Sequence, residues 1–339
     1  MIDSTYTVVG AGAIGGTLAA HLHAQGVPVQ LVDADANHVA AIRENGLRIK
    51  TPSGVMVADV PVYGLADAPE HLDRVLLAVK AQATDSAAAW IAPRLSADGY
   101  VASMQNGLNE ATIAARVGAH RTVIAFVDLF ADVIEPGVIN DGGSGAMALG
   151  EYSGGTSDRV RQLAQDLGHW GTPTVSGNVA GFLWAKLGFG AMLTATALAD
   201  ADMSELIDRH RPAMNGLAAE VFDVAAAEGI RLEGFDAFDP SSYIRGADPV
   251  RNSEATDDLV KWLSTPAKTR SGIWRDIAVR KRPTEVPTQY EPVIAMAAKH
   301  GLQVPLLEEL VSAIRRLEAG SDSMDEEHLF DLDRKAAAR

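Results

Sequence analysis

Cysteine is absent from the 339 residues of this chain, and its absence excludes thiol nucleophiles, disulfides and thiolate-held metals. Basic residues are scarce too. Twenty-nine Lys and Arg stand against 44 Asp and Glu, a formal net charge of -15, so neither nucleic acid nor an anionic membrane surface is expected as a partner. No uninterrupted apolar run reaches the ~18 residues of a membrane span. The first residues lack the basic region and cleavage site of a secretory signal, and a cytoplasmic location is expected. The nine histidines include no H-x-x-x-H pair that would set two ligands on one helix face, so no metal is expected, and His210 and His300 read as ordinary helix residues. There is no internal repeat.

What the chain does contain is an ordinary globular stock. Apolar residues make up 47% and charged residues 22%, and the length suggests two domains at about 150 residues each. The organising stretch is Thr5 to Ala20, TYTVVGAGAIGGTLAA. An apolar run of strand type, Tyr6 to Val9, meets a G-x-G-x-x-G turn, and a small-residue helix follows. Gly10 permits the tight turn, Gly12 lets backbone approach a pyrophosphate with no Cβ in the way, and Gly15 lets the helix lie close against the strand. Gly10, Ala11, Gly12, Ala13, Ile14 and Gly15 are therefore expected to cradle the phosphates of a dinucleotide at the helix N-terminus. The plainer alternative is a glycine-rich turn that only closes a βα unit.

Val29 to Val32 reads as a second strand and ends on Asp33, 23 residues beyond Gly10. A dinucleotide fold places there the residue that meets the adenosine ribose. A carboxylate accepts hydrogen bonds from both ribose hydroxyls and repels the 2′-phosphate of NADP, and the nearest arginine, Arg43, is a helix further on. NAD(H) is expected over NADP(H). Alternatively Asp33 is a loop aspartate that caps the next helix, a role Asp35 or Asn37 could also take.

His38 to Asn45 reads as a helix closed by Gly46, and Leu47 to Lys50 with Val55 to Val62 as a hairpin around Pro52-Ser53-Gly54. RVLLAV, Arg74 to Val79, has the continuous apolar character of a strand buried on both faces of a parallel sheet. Lys80 follows at its carboxyl end, where open α/β sheets bind ligands. Ala83 to Leu95 is expected as a helix and Tyr100 to Ser103 as a strand that delivers Met104-Gln105-Asn106-Gly107. A loop lysine or an Asn-Gly turn alone means little; together Lys80 and Asn106 mark one edge of a cleft. Strands from Thr122 to Val127 and through the glycine-rich segment to Gly150, a helix from Asp158 to Trp170 and a strand from Thr172 to Val175 complete a doubly wound α/β sheet over residues 1–177.

Beyond Gly177 the pattern turns helical: Ala180 to Leu198, Met203 to Glu228, Glu254 to Leu263, Gln289 to His300 and Pro305 to Ala319, with Phe235 to Asn252 as an irregular connection. A helical domain after a dinucleotide domain implies that substrate binds in the cleft between them. VVGAGAIGG, LLAVKA, SMQNG, FLWAKLGFG, RSGIWRDIAVRKRPTEV and HGLQVP together resemble, in order and over nearly the whole chain to about Glu318, the ketopantoate reductase family. The resemblance implies a Rossmann domain followed by an all-helical domain of the 6-phosphogluconate dehydrogenase type over 178–320, and a homodimer; beyond it, residues 321–339 read as a charged tail. It also implies hydride transfer between a nicotinamide cofactor and a small anionic oxo or hydroxy acid; the family reduces ketopantoate, usually with NADPH. Its catalytic lysine falls on Lys186, its substrate-holding glutamate on Glu285, its asparagine near the nicotinamide on Asn106 and its lysine after the fourth main strand on Lys80. A serine near the substrate carboxylate falls at or next to Ser271.

Taken alone, Lys186 is better read as a lysine whose stem lies along apolar surface with its ammonium in water, Glu285 as a solvated side chain, and its neighbours Arg280, Lys281 and Arg282 either as such a face or as a basic patch that attracts an anionic substrate. The chain also departs from the family. Asparagines one and two turns beyond the lysine hydrogen-bond the substrate; here Gly190 opens space and Thr194 keeps only a hydroxyl. The segment from Asp276 to Glu285 is one residue longer, with Pro283 inside it, and Asp33 replaces a basic residue. The expected activity is therefore NAD(H)-dependent, on an acid that need not be ketopantoate. The alternatives are a genuine NADPH-dependent 2-dehydropantoate 2-reductase and a non-catalytic dinucleotide sensor. The tail is left open between a frayed end and a helix lent to a neighbouring subunit.

Overall fold

Tyr6–Val9 (β1) is buried at every position and pairs in parallel on both sides, with Val29–Val32 (β2) and with Leu72–Leu77 (β6). The computed structural model describes residues 5–51, 53–168, 170–265 and 269–338. The chain divides into two units, Met1–Val179 and Ala180–Arg339.

In the first unit, α1 (Ala13–Ala24) and α2 (Ala36–Asn45) alternate with β1 and β2; β3 (Leu47–Thr51), β4 (Gly54–Ala58) and β5 (Val62–Tyr63) lead to β6. Then come α3 (Thr84–Ile91), β7 (Leu95–Ser103), α4 (Glu110–Val117), β8 (Thr122–Glu135), β9 (Val138–Glu151), α5 (Asp158–Leu167) and β10 (Thr174–Val175). The sheet order is β4-β3-β9-β8-β7-β6-β1-β2-β5, with β10 on β9. From β5 to β8 neighbours are parallel; β9 runs antiparallel to β8, and β4 to β3. This is a doubly wound sheet with an antiparallel extension. Val9 stands level with Val32 and Leu77, and Leu77 with Ser103. Gly10, Asp33, Ala78 to Lys80 and Met104 to Asn106 therefore all leave the sheet at one carboxyl edge.

Several expected boundaries move, each for a local reason. The run Val55 to Val62 is not one strand. It breaks after Ala58, and Val62 joins β5, whose partner is β2 rather than β3; Pro61 cannot donate to a ladder. Pro52, expected in the hairpin turn, lies outside the described residues. The helix expected to reach Leu95 ends at Ile91, just before Pro93, and Leu95 already belongs to β7. β8 and β9 form one long antiparallel ribbon turning at Gly137, whose φ of 76° suits glycine.

The second unit is helical among its described residues. Its helices are α6 (Val179–Ala195, beginning on the last residue of the first unit), α7 (Met203–Arg209), α8 (Arg211–Ala227), α9 (Pro249–Leu263), α10 (Gly272–Ala278), α11 (Val286–Lys299), α12 (Pro305–Glu318) and α13 (Glu327–Ala337). The helix expected from Met203 to Glu228 is two, broken at His210 just before Pro212. The buried His210 bonds Asp333 through Nδ1 at 2.6 Å and Glu326 through Nε2 at 2.9 Å. Asp333 also accepts the Ala213 N–H at 2.9 Å, and Leu329 and Leu332 are buried. The segment read as a tail thus carries a helix packed on its own unit; its last residue, Arg339, is outside the described residues. Val179–Leu198 is long enough for a membrane span and holds an 18-residue stretch of mean hydropathy 1.3, 72% of which is buried within the protein, as in a core helix. At α12 the buried Glu220 carboxylate accepts the N–H groups of Leu306 (3.1 Å) and Leu307 (2.9 Å), satisfying a helix start that Pro305 opens.

Candidate active site

The glycine turn has a distinct physical reason at each position. Gly10 adopts φ 98°, and a Cβ there would lie 2.8 Å from the Ala78 carbonyl carbon and the Val79 nitrogen. A Cβ at Gly15 would lie 1.9 Å from the Gly10 oxygen, so the helix can sit this close to the strand only without one. At Gly12, which caps α1, a Cβ would meet nothing within 4 Å. Gly12, Ala13 and Ile14 are partly exposed while Ala11 is buried. A helix N-terminus with open space in front of it fits a dinucleotide pyrophosphate.

Asp33 ends β2 partly exposed. Its Oδ2 accepts the Ala11 N–H at 2.6 Å and its Oδ1 the Asp35 N–H at 2.8 Å. The cap of α2 is Asp35, which accepts from Asn37 and His38. Asp33 is thereby relieved of capping and stands beside the turn. Arg43 points elsewhere, donating to the Val62 carbonyl at 3.0 Å and pairing with Asp67.

Lys80 and Asn106 are exposed on adjacent loops, and a buried polar chain behind them ties those loops together. Gln105 Nε2 donates to the Val79 carbonyl (2.9 Å) and to the Thr84 hydroxyl (2.8 Å). The Thr84 hydroxyl lies 2.8 Å from the Ala81 carbonyl and 3.1 Å from Asn109 Oδ1. Asn109 in turn donates to the Asn106 carbonyl at 2.8 Å. Asn106 is thus set by residues whose own side chains face inward, where unpaired polar groups would be costly.

In the second unit α6 is buried nearly all round. From Gly181 to Ala195 its partly exposed residues are Phe182, Lys186, Gly190 and Leu193. At about 100° per residue these four lie within roughly 80° of arc, with Lys186 inside it. Lys186 therefore stands on the one open face of an apolar helix.

That face does not look as the sequence implies. Gly190 does not open space, because a Cβ there would lie 2.8 Å from the Tyr290 hydroxyl. Tyr290 is 1% exposed and donates to the Leu187 carbonyl at 3.0 Å. Burial raises its phenol well above the usual range, an effect opposed by a hydrogen bond from Thr194. Thr194, expected beside substrate, is itself 3% exposed and engaged with that hydroxyl. Tyr290 escaped the sequence reading; the missing side chain at Gly190 was the signal that something else fills the place.

Ser271 is 5% exposed and caps α10, accepting the Trp274 N–H at 3.1 Å. Lys281 takes a left-handed φ of 50°, and Asp276 Oδ1 accepts Arg280 Nη1 (3.1 Å), Arg282 Nε (3.0 Å) and Arg282 Nη2 (2.8 Å). Two of the three basic residues are thus committed to Asp276. Glu285 stands partly exposed at the start of α11. Beside it, buried Thr284 donates its N–H and hydroxyl to Glu318 at 2.7 and 2.6 Å.

Comparison with known proteins agrees with this architecture. Residues 6–154 match the family model "Ketopantoate reductase PanE/ApbA", and residues 178–318 match its C-terminal counterpart. A 2-dehydropantoate 2-reductase from Halobacterium salinarum is 28% identical over 313 residues, 91% of this chain and 97% of that protein. A ketopantoate reductase from Ralstonia eutropha JMP134 superposes with a TM-score of 0.78 at 24% identity, covering 93% of this chain and 99% of the other. D-mandelate dehydrogenase in a ternary structure with NADH and anilino(oxo)acetate gives a TM-score of 0.80 at 22% identity, with the same coverage. With two family domains matched in order along most of its length, the chain belongs to the ketopantoate reductase family of dinucleotide-dependent oxidoreductases.

Proposed function

We propose that the protein is an NAD(H)-dependent oxidoreductase that interconverts a small anionic 2-oxo acid, other than ketopantoate, with the corresponding hydroxy acid. The observation that carries this reading is the α6 face. A lysine amine stands on an otherwise apolar arc, and Gly190 and Thr194, where the family has substrate-binding amides, supply none. A bound nicotinamide supplies or accepts the hydride. In the reductive direction the carbonyl oxygen gains negative charge, and Lys186 stabilises that charge and donates the proton. Asn106, Glu285 and the Ser271 hydroxyl orient the acid, while Thr194 holds Tyr290. Gly10 to Gly15 hold the phosphates, Lys80 the cofactor's neighbourhood at the carboxyl edge, and Asp33 the ribose. Asp33 and the commitment of Arg43 to Asp67 support NAD(H), as does the NADH in the mandelate dehydrogenase structure. The names of the relatives favour a second reading, a 2-dehydropantoate 2-reductase, which the family resemblance pairs with NADPH. A cytoplasmic homodimer completes the proposal.

A panel of 2-oxo and hydroxy acids, ketopantoate and sugar acids included, run with both cofactors tests it. Turnover with NADH of an acid other than ketopantoate is expected, lost by about 10²- to 10⁴-fold in Lys186→Ala with NADH binding retained. Preferred reduction of ketopantoate by NADPH would establish the second reading instead. Firm NADH binding with no acid turned over would leave a dinucleotide sensor.

A further inference from the structure

We infer that His38 is a positioning residue for the pyrophosphate-binding turn, acting through the peptide that joins Ala11 to Gly12; the inference rests on the dinucleotide reading above. His38 lies in the first turn of α2 with its ring buried. The Gly137 N–H donates to its Nδ1 at 3.0 Å. A ring nitrogen that accepts an N–H carries no proton, so the network assigns the proton to Nε2. Nε2 then donates to the Ala11 carbonyl at 2.9 Å. The Ala11 N–H is already held by Asp33, so the residue between the first two glycines is gripped at both of its polar groups.

The grip has a directional consequence. In a trans peptide the carbonyl and the following N–H point in opposite directions. An Ala11 carbonyl turned inward to His38 turns the Gly12 N–H away from it. Gly12 is partly exposed, and its N–H has no hydrogen-bond partner among the described residues. His38 thus aims a phosphate donor without touching the phosphate. Its other nitrogen rests on the turn of the β8–β9 ribbon, which anchors the ring from the far side.

The two nitrogens can be mimicked separately. Asparagine at position 38 offers an acceptor near the place of Nδ1 and does not reach Ala11, whereas glutamine offers a donor near the place of Nε2. His38→Asn is expected to weaken binding of ADP and NADH about tenfold and to leave adenosine binding unchanged, since adenosine has no phosphate. His38→Gln is expected to bind ADP within about twofold of wild type. Equal weakening by both variants, or equal weakening for adenosine and ADP, reduces His38 to a support of the fold and overturns the inference. ADP binding unchanged in His38→Asn overturns it as well, with the cofactor reading intact. A wild-type protein that binds neither ADP nor NADH overturns both. Nitrogen NMR of the wild type tests the same inference without any substitution: an Nε2–H tautomer whose signal shifts with ADP but not with adenosine is expected, and an Nδ1–H tautomer is incompatible with the proposal.

Discussion

At Glu110 two local influences oppose each other. It is the first residue of α4, where the helix dipole and a backbone N–H favour a carboxylate. It is also buried, and desolvation disfavours the same charge. Burial prevails, pushing the carboxyl up to about 7 from 4.5. The folded state therefore holds a proton that the unfolded chain releases between about pH 4.5 and 7, so this group lowers stability as pH rises through that window. Above pH 7 the cost is in full force, of the order of 3 kcal/mol. Glu110→Gln removes the charge and keeps the shape. Urea unfolding should find the variant more stable than wild type at pH 8, by up to about 3 kcal/mol, and nearly equal at pH 4.5. Parallel stability curves for the two proteins across that range would show that Glu110 ionises in the fold at no cost.

At the scale of elements, α11 meets α6 at Gly190, where the Tyr290 hydroxyl takes up the space beside the glycine. Glycine inside a helix ordinarily costs about 1 kcal/mol against alanine, so Gly190→Ala would be stabilising on an isolated helix. Here the new methyl would press on the Tyr290 hydroxyl, which is held by Leu187. The expected result is a change of sign. Gly190→Ala destabilises the wild type by about 1 kcal/mol and stabilises the Tyr290→Phe protein by a similar amount, read as shifts of the unfolding midpoint in a double-mutant cycle. Additive effects would place Tyr290 out of reach of Gly190. The same pair shows what the sequence could reveal. β1, β2 and the glycine turn were legible because the apolar runs stop at residues whose backbone demands are local. Asp33 stood out for the same reason, at the end of an apolar run, whereas Lys186 was marked only by the family resemblance. Tyr290 reaches Leu187 across 103 positions and His38 reaches Ala11 across 27, and no local pattern signals either contact. The split between β4 and β5 was hidden because an apolar run does not name its partner strand. α10 and α13 are short, and the packing that holds α13 comes from His210 and Ala213, far away in sequence.

For the whole molecule the dominant quantity is its charge of -15, carried against a dinucleotide cofactor that is an anion and, on the proposed reading, an anionic acid substrate. At an ionic strength of about 0.01 M the Debye length is roughly 30 Å, and an approaching anion feels the acidic surface as a whole; at 0.15 M it is roughly 8 Å, and only nearby groups count. Adding salt over this range therefore removes the distant repulsion first and leaves the proposed contacts with Lys80, Lys186 and the α1 N-terminus largely in place. The expected outcome is that kcat/KM for the acid, with NADH saturating, rises about two- to threefold between 0.01 and 0.15 M salt at constant pH, then falls once the contacts themselves are screened. A variant that replaces surface Asp and Glu far from both site loops by Asn and Gln should lose the initial rise and keep the later fall. A monotonic fall in the wild type would mean that the basic groups of the site outweigh the rest of the surface even at long range, and that its net charge has no part in how substrate arrives.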